Sequence, residues 1–371
     1  MKIFLSALVL LCCLVTAAQK KYYMLAGTYT NGKSIGVYVY NFDSNTGTAT
    51  VVDSIKTSNP SYLAVSPNEK FVYAVNENAD NGNGGKVTAF SFNKKTGHLT
   101  QLNQQLSMGD NPCYITVDKT GKWVAVANYS SGTAAVLPMH KNGSLGEAVS
   151  VIQHKGSSVN KQRQEGPHVH STVLSPDNHQ LFVSDLGIDK LRVYSFNEHT
   201  GKLTAAKDSV VKLTPGSGPR HFVFHPNRKW AYLVQEMGGT ITAFNYKNGA
   251  LKKLQTVSTV PASFTKSFTG ADIHISPDGK FLYASNRDSS NTISIFKINA
   301  QNGKLTMIGN EAAQGKTPRN FNFDPTANYL LVANQNSDDI IIFRRNAKTG
   351  LLRDTGKRIA IGNPVCIKWI E

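Results

Sequence analysis

Short runs of alternating apolar and polar residues fill almost the whole chain, and one arrangement of them returns at a period of about 50 residues. In the copy that begins at Asn59, an alternating run leads into the turn SPNEK and then into the apolar run FVYAVNE. Alternation predicts strands with one buried face, and a turn of this type between two such runs predicts a β-hairpin. Related copies begin at Asn59, Asn111, Gly166, Gly218, Thr269 and Thr317, and a shortened copy, NPVCIKWIE, closes the chain.

Each copy continues into two further predicted strands, which a glycine turn separates. Examples of the third strand are KVTAFSF, KLRVYSF and TISIFKI. The glycine turns recur at Gly47, Gly97, Gly143, Gly201, Gly249, Gly303 and Gly350. Four antiparallel strands in each of seven repeats predict an all-β, seven-bladed propeller. The early segment YYMLAGTYT matches a second strand and the final PVCIKWI matches a first strand, so we expect one blade to be closed by both termini.

The residues at one end of each predicted hairpin differ strongly between copies. First strands begin with Ser61, Cys113, His170, Arg220, Ala271 and Arg319, and second strands end at Glu77, Tyr129, Leu186, Glu236, Arg287 and Gln335. A packing role would demand similar residues in every blade. Such uniformity is found one position earlier, where strand-end hydrogen bonding is expected of Asn76, Asn128, Asp185, Gln235, Asn286 and Asn334. The variable positions therefore predict a site at one mouth of the central channel.

The residue types at this mouth indicate its chemistry. Three arginines predict binding of a carboxylate, a phosphate or an oxyanion, because the guanidinium fork matches their geometry. The arginines could instead tie blades together through backbone carbonyl groups, and Glu236 could simply neutralise one of them. His168 and His170 have no acidic ligand set and no third histidine beside them. We therefore expect hydrogen-bonding or acid–base roles for them, and no metal.

Length and charge limit the remaining possibilities. The chain has 371 residues and a formal net charge of +16. We expect a signal peptide over residues 1–18, with an apolar run too short to span a membrane, followed by a single propeller domain over 19–371. The protein would then be exported to the periplasm or the extracellular space. Only Cys113 and Cys366 would remain, so the core rather than a set of disulfides must stabilise the fold.

Basic residues are spread over turns such as NKKTG and RRNAKTG, without a recognition helix or an aromatic RNA-binding motif. We therefore expect no nucleic-acid partner. The positive charge favours an anionic small molecule as the ligand. A monomer is expected.

Several segments together carry a family resemblance, among them AGTYT, GPHVHS, SDLGIDKL, PGSGPRHFVFHP, SPDGKFLYASNR and TPRNFNFDP. The chain resembles the propeller-type lactonases, which include 6-phosphogluconolactonase and a fungal carboxymuconate cyclase. The resemblance implies seven blades and a catalytic set of one histidine, two arginines and one glutamate. The matching positions are His170 or His168, Arg220, Glu236 and Arg287. We expect further substrate contacts from His168, Arg319, Gln335, Glu77 and Tyr129, and no cofactor.

The expected reaction is the opening of a sugar or sugar-acid lactone by water in the channel mouth. The arginines would bind the anionic group and the carbonyl oxygen, and Glu236 or a histidine would remove a proton from the water. Because 6-phosphogluconolactone is made inside cells, an exported enzyme is expected to act on another sugar lactone or a uronic-type lactone. One alternative is a secreted propeller that binds a glycan or a protein without catalysis. Another is a metal-dependent lactonase, for which acidic residues should outnumber arginines at the site.

Overall fold

Seven antiparallel sheets of four strands each make up the computed structural model, which describes residues 22–82 and 84–371. The region predicted to be a signal peptide lies outside the described residues. Apart from a three-residue 3-10 helix at Gln335–Ser337, the regular elements of the described residues are all strands. The predicted fold class, a seven-bladed all-β propeller, is confirmed.

The strands of each blade are named here from the first to the fourth. Blade 1 contains β28 (Pro364–Ile370), β1 (Tyr22–Thr28), β2 (Gly36–Asp43) and β3 (Thr48–Lys56). Blade 2 contains β4 (Leu63–Val65), β5 (Phe71–Asn76), β6 (Lys86–Asn93) and β7 (His98–Leu106). Blade 3 contains β8 (Pro112–Val117), β9 (Trp123–Asn128), β10 (Thr133–Pro138) and β11 (Ser150–Gln153). Blade 4 contains β12 (Val169–Leu174), β13 (Gln180–Asp185), β14 (Lys190–Phe196) and β15 (Leu203–Lys212).

The other three blades repeat this order. Blade 5 contains β16 (Pro219–Phe224), β17 (Trp230–Gln235), β18 (Thr240–Lys247) and β19 (Ala250–Ser258). Blade 6 contains β20 (Gly270–Ile275), β21 (Phe281–Asn286), β22 (Thr292–Ile298) and β23 (Leu305–Ala312). Blade 7 contains β24 (Pro318–Phe323), β25 (Tyr329–Asn334), β26 (Asp339–Arg345) and β27 (Leu352–Ala360).

Blade 1 joins the two ends of the described chain, as the sequence predicted. Strand β28 pairs antiparallel with β1, and Leu25 lies opposite Lys368 in this register. The first strand of every blade contacts the first strands of both neighbouring blades, including β28 with β4 and β24. The ring is therefore closed, and each inner strand is covered on both sides.

Aromatic residues pack most of the blades onto the next one. In five blades the first residue of the second strand is aromatic and lies against the glycine of the turn between the third and fourth strands of the following blade. The pairs are Phe71 with Gly143, Trp123 with Gly201, Trp230 with Gly303, Phe281 with Gly350 and Tyr329 with Gly47. These glycines have positive φ angles, a conformation that disfavours any residue with a Cβ atom. The recurring glycines of the sequence thus serve both the turn and the contact between blades.

The uniform amides at the ends of the second strands make the hydrogen bonds expected of them. Asn128 Nδ2 donates to the carbonyl oxygen of Ser107 at 2.7 Å, and Asn286 Nδ2 donates to that of Thr259 at 3.1 Å. Each acceptor lies just after the fourth strand of the preceding blade. In blade 4 an aspartate replaces the amide, and Asp185 Oδ2 lies 2.6 Å from Nδ1 of His154. These contacts fix the hairpin ends of blades 3, 4 and 6, whereas in blade 5 Gln235 Nε2 donates to Thr240 and Thr242 of its own blade.

Both described cysteines are buried and unpaired. No helix within the described residues is long and apolar enough to cross a membrane. The stability of the described fold therefore comes from the clusters of buried apolar side chains between blades.

The contact between Trp230 and Gly303 gives a test of the packing between blades. A Cβ atom on Gly303, whose φ is 71°, would lie 2.5 Å from Cδ2 of Trp230. We predict that Gly303→Ala lowers the free energy of unfolding by about 2–4 kcal/mol, the combined cost of the positive φ and of overpacking. The control is Gly356→Ala, since Gly356 has a φ of 75° but no atom within 4 Å of the new Cβ. Denaturant titration should show a loss of about 1 kcal/mol for this control, and equal losses would contradict the packing argument.

Candidate active site

A cavity of about 450 Å³ lies where the first strands begin and the second strands end. Its lining residues are Tyr29, Glu77, Tyr129, Arg163, His170, Glu236, Thr269, Arg287, Asp288 and Arg319. Every blade contributes to this lining, from Tyr29 in blade 1 to Arg319 in blade 7. The hairpin geometry read from the sequence therefore brings residues that are distant along the chain into one space.

Six of the residues singled out in the sequence line this cavity, namely Glu77, Tyr129, His170, Glu236, Arg287 and Arg319. Arg220 contacts Glu236 from a fully enclosed position, with 2% of its side chain exposed. His168 lies beside Tyr129, with the two rings stacked at 4.4 Å. Gln335 begins the 3-10 helix. Among the described residues no hydrogen bond links the Gln335 side chain to the cavity, and its backbone N–H donates to Thr317 O at 2.9 Å.

Glu236 is the centre of the charged cluster. Its Oε2 accepts hydrogen bonds from Arg220 Nε at 3.0 Å, and Arg287 Nη2 also lies 3.0 Å from this oxygen. Its Oε1 accepts from Arg163 Nη2 at 2.7 Å. Burial of the carboxyl would raise its pKa, but Arg287 and Arg220 outweigh this effect and hold the pKa of Glu236 well below its usual range. Glu236 is therefore ionised at neutral pH, with both oxygens engaged.

The two blade arginines also bind backbone carbonyl groups at the beginning of blade 6. Arg220 Nη1 donates to Ala271 O at 2.7 Å, and Arg287 Nη2 donates to Gly270 O at 3.0 Å. Burial, together with the charge of Arg287, lowers the pKa of Arg220 to about 10, so Arg220 stays cationic at neutral pH. Both alternatives considered for the arginines thus apply together. They tie blades 5 and 6 to each other and place positive charge beside Glu236.

His170 is buried and uncharged at neutral pH. Burial and the neighbouring Arg220 hold the pKa of His170 well below the usual histidine value. Its Nδ1 lies 3.7 Å from Sγ of Cys113, and its Nε2 lies 3.9 Å from Oε2 of Glu236. The second distance is too long for a direct hydrogen bond. It would, however, allow one water molecule to contact both side chains.

The other side of the cavity carries a second group of polar residues. The hydroxyl of Tyr29 donates to the Glu77 carboxylate, with both oxygens at 2.9 Å. The guanidinium of Arg319 lies over the Tyr29 ring, with Cζ 5.4 Å from the ring centroid. Burial would lower the pKa of Arg319, but Tyr29 and Glu77 raise it above its usual value. In the described part of the chain Arg319 has no hydrogen-bond or ion-pair partner, so its donors are free for a ligand.

Two cavity residues of interest were not predicted from the sequence. Tyr29 follows the second strand of the split blade, so extending the repeat comparison to AGTYT would have found it. Arg163 lies in the long segment between β11 and β12, which no other repeat copy shares. The extra length of this segment was the only available signal for it.

Across residues 22–82 and 84–371, no group of three or more histidine, cysteine, aspartate or glutamate side chains is arranged for metal binding.

Comparison with known proteins places this arrangement in a family. The family model described as "Lactonase, 7-bladed beta-propeller" matches residues 23–369. The chain is 38% identical over 342 residues to the 6-phosphogluconolactonase of Formosa agariphila, covering 91% of this chain and 96% of that protein. It is 36% identical to the 6-phosphogluconolactonase of Bacillus subtilis, covering 95% and 99%. The structure of the periplasmic gluconolactonase of Pseudomonas aeruginosa matches with a TM-score of 0.91 and 37% identity, covering 95% of this chain and 99% of that one.

The fold and the cavity define a class of protein, a closed seven-bladed propeller in which all blades contribute to one charged cavity. The chain belongs to the seven-bladed lactonase family, as its sequence motifs predicted. It is accordingly a lactonase, a hydrolase that opens cyclic esters.

The pairing of Glu236 with three arginines predicts a pH-dependent contribution to stability. We expect Glu236→Gln to lower the free energy of unfolding at pH 7 by about 3 kcal/mol, because it leaves buried guanidinium groups without their counter-ion. The pKa of Glu236 is depressed in the folded protein, so this contribution is present above the unfolded value of about 4.3 and is lost as the pH falls through the folded value. The difference from wild type should therefore be constant between about pH 7 and pH 5 and shrink in more acidic solution.

Urea titrations of both proteins at several pH values would measure this difference. Glu147→Gln is the control, since Glu147 is exposed. A wild-type advantage that does not change down to the acid unfolding region would contradict the assignment.

Proposed function

We propose that the protein hydrolyses an anionic sugar or sugar-acid lactone in this cavity, and that the cavity is the mouth of the central channel. The observation that carries the proposal is that a neutral His170, the Glu236 carboxylate and the Arg287 guanidinium share one lining, with Arg220 enclosed beside Glu236. Ester hydrolysis needs a base for water and a cation for the developing oxyanion, and this cluster contains both.

The reaction follows from the positions of these groups. A water molecule held by Glu236 and His170 attacks the lactone carbonyl carbon and gives its proton to Nε2 of His170. Negative charge develops on the carbonyl oxygen, and Arg287, which lines the cavity, stabilises it. The bond from the carbonyl carbon to the ring oxygen then breaks. His170 returns the proton to that oxygen, and the product is a hydroxy acid.

Arg319 is assigned the role of attracting the anionic group of the substrate into the cavity. This guanidinium lines the cavity, and among the described residues it lies over the Tyr29 ring without a hydrogen-bond or ion-pair partner. A mostly buried cation without an acidic hydrogen-bond partner is costly, and a bound carboxylate or phosphate would remove that cost. Four arginines lie in or next to the cavity, whereas one of the three nearby carboxylates, Asp288, is exposed. The balance of charge supports an anionic substrate.

The names of the relatives support this class of substrate without fixing one compound. Two are 6-phosphogluconolactonases and one is a periplasmic gluconolactonase. The proposed leader over residues 1–18 would place this protein with the periplasmic relative. We therefore propose that it acts outside the cytoplasm, on a sugar-acid lactone that reaches that compartment.

Substitutions at the cavity test the catalytic assignment. We expect His170→Gln to lower kcat by about 10²–10⁴-fold through loss of the base. Arg287→Met should lower it by about 10²–10³-fold through loss of the oxyanion contact. A pH-indicator assay of purified protein against a panel of sugar lactones would measure both.

His98→Gln is the matched control, because His98 is an exposed histidine on an outer strand. Full activity of both cavity variants would overturn the assignment. Binding of sugar acids by a wild-type protein that opens no lactone would favour the non-catalytic alternative.

The state of His170 also predicts the pH dependence of the reaction. Since the pKa of His170 is held well below the usual value of about 6.5, its base form persists into acidic solution. We expect kcat/KM to stay level from neutral pH down through about pH 6 and to fall only under more acidic conditions. The measurement is a kcat/KM profile corrected for spontaneous hydrolysis. An acidic limb centred at or above the ordinary histidine value would show that another group titrates.

A further inference from the structure

Arg163 differs from the other arginines that bind Glu236. Arg220 and Arg287 lie at the ends of blade strands, with 2% and 11% of their side chains exposed. Arg163 lies on the loop between β11 and β12, and 43% of its side chain is exposed. Of the three guanidinium groups, only that of Arg163 can leave Glu236 without disturbing a blade.

The loop that carries Arg163 is itself firmly held. Gln164 is fully buried, and its Nε2 donates to Leu186 O at 2.8 Å. Ser158 Oγ donates to Asp189 Oδ2 at 2.6 Å. The loop backbone is thus fixed at two points on blade 4. Release of Glu236 therefore requires only a rotation of the Arg163 side chain, whose guanidinium contacts Glu236 Oε1 at 2.7 Å and the Tyr129 hydroxyl at 3.1 Å.

The contact between Arg163 and Glu236 has a consequence for the bound water. Arg220 and Arg287 both bind Oε2, so within residues 22–82 and 84–371 Arg163 is the hydrogen-bond partner of Oε1. While Arg163 is in this position, its guanidinium competes with a water molecule for the lone pairs of Oε1. Its positive charge also helps to hold the pKa of Glu236 well below the usual range, which makes the carboxylate a poor acceptor.

We propose that Arg163 determines specificity for anionic lactones by releasing Glu236 when such a substrate binds. This inference rests on the proposed function. The phosphate or carboxylate of the substrate binds the guanidinium of Arg163 in place of Glu236. Oε1 of Glu236 is then free to orient the attacking water. A neutral lactone has no anion that competes with Glu236 for Arg163. Arg163 therefore stays bound to Oε1 of Glu236 for more of the time.

The charges around Glu236 make this exchange favourable. Glu236 keeps Arg220 and Arg287 after the exchange, so it does not become an unpaired buried charge. The substrate anion gains a charge-assisted hydrogen bond at a half-exposed position, where little desolvation opposes it. Arg319 on the other side of the cavity attracts the same anion into the cavity.

The test compares gluconolactone with its 6-phosphate, which share one ring and differ in charge. For Arg163→Met we expect kcat/KM on the phosphorylated lactone to fall about 10–100-fold through loss of the charge-assisted contact. On gluconolactone we expect kcat to rise several-fold, because Oε1 is then free. Arg163→Lys should restore part of the preference for the phosphorylated lactone.

Lys161→Met is the matched control, because it removes an exposed cation from the same loop. We expect it to leave both substrates unchanged. Equal losses on both lactones in Arg163→Met would indicate a structural role only and would overturn the proposal. The same shift in preference in Lys161→Met would do so as well.

A binding measurement separates this inference from the proposed function. If wild-type protein opens neither lactone, the proposed function fails. Calorimetric titration with 6-phosphogluconate and gluconate then tests separately whether Arg163 binds the anionic group of the ligand. Arg163→Met should weaken binding of the phosphorylated acid about tenfold and that of gluconate much less, because both acids carry the same carboxylate and only one carries the phosphate. Unchanged affinity for 6-phosphogluconate would refute the role of Arg163.

Discussion

The organisation of the site depends on one buried carboxylate that is shared by three guanidinium groups. Glu236 is 6% exposed, and its ionised form is stable only because Arg163, Arg220 and Arg287 surround it. The same contacts neutralise much of the repulsion between the arginines. Removing Glu236, Arg220 or Arg287 would therefore change the charge state or the position of the groups that remain.

The propeller fold holds the charged side chains of this cluster in fixed positions. In several blades the last residue of the second strand uses its amide or carboxylate to bind the segment leaving the preceding blade, as Asn128 and Asp185 do. Backbone carbonyl groups at the beginning of β20 accept further hydrogen bonds from Arg220 and Arg287. Positive charge is thus held in place before any substrate arrives, which is the condition for strong electrostatic stabilisation of a transition state.

Much of this arrangement could be predicted from the sequence, because a repeat fixes the register. His170, Glu236 and Arg287 fall at strand ends in every comparison of the copies, and hairpin geometry then places them together. Arg163 could not be placed in this way. Its loop has no counterpart in the other blades, and its path depends on the hydrogen bonds of Gln164 and Ser158. The contacts of Glu236 with three arginines could not be predicted from the sequence either, since side-chain rotamers depend on packing rather than on register.

The pairing of β28 with β1 has a consequence for biosynthesis. The innermost strand of blade 1 is translated after all the other strands of the ring, although its partner β1 is translated first. Until β28 emerges, the inner edge of β1 and the neighbouring faces of β4 and β24 lack their cover. A nascent chain therefore keeps an open edge in the ring until β28, the last strand of the ring, has emerged. Chaperones that shield unpaired edges would act on it during that interval.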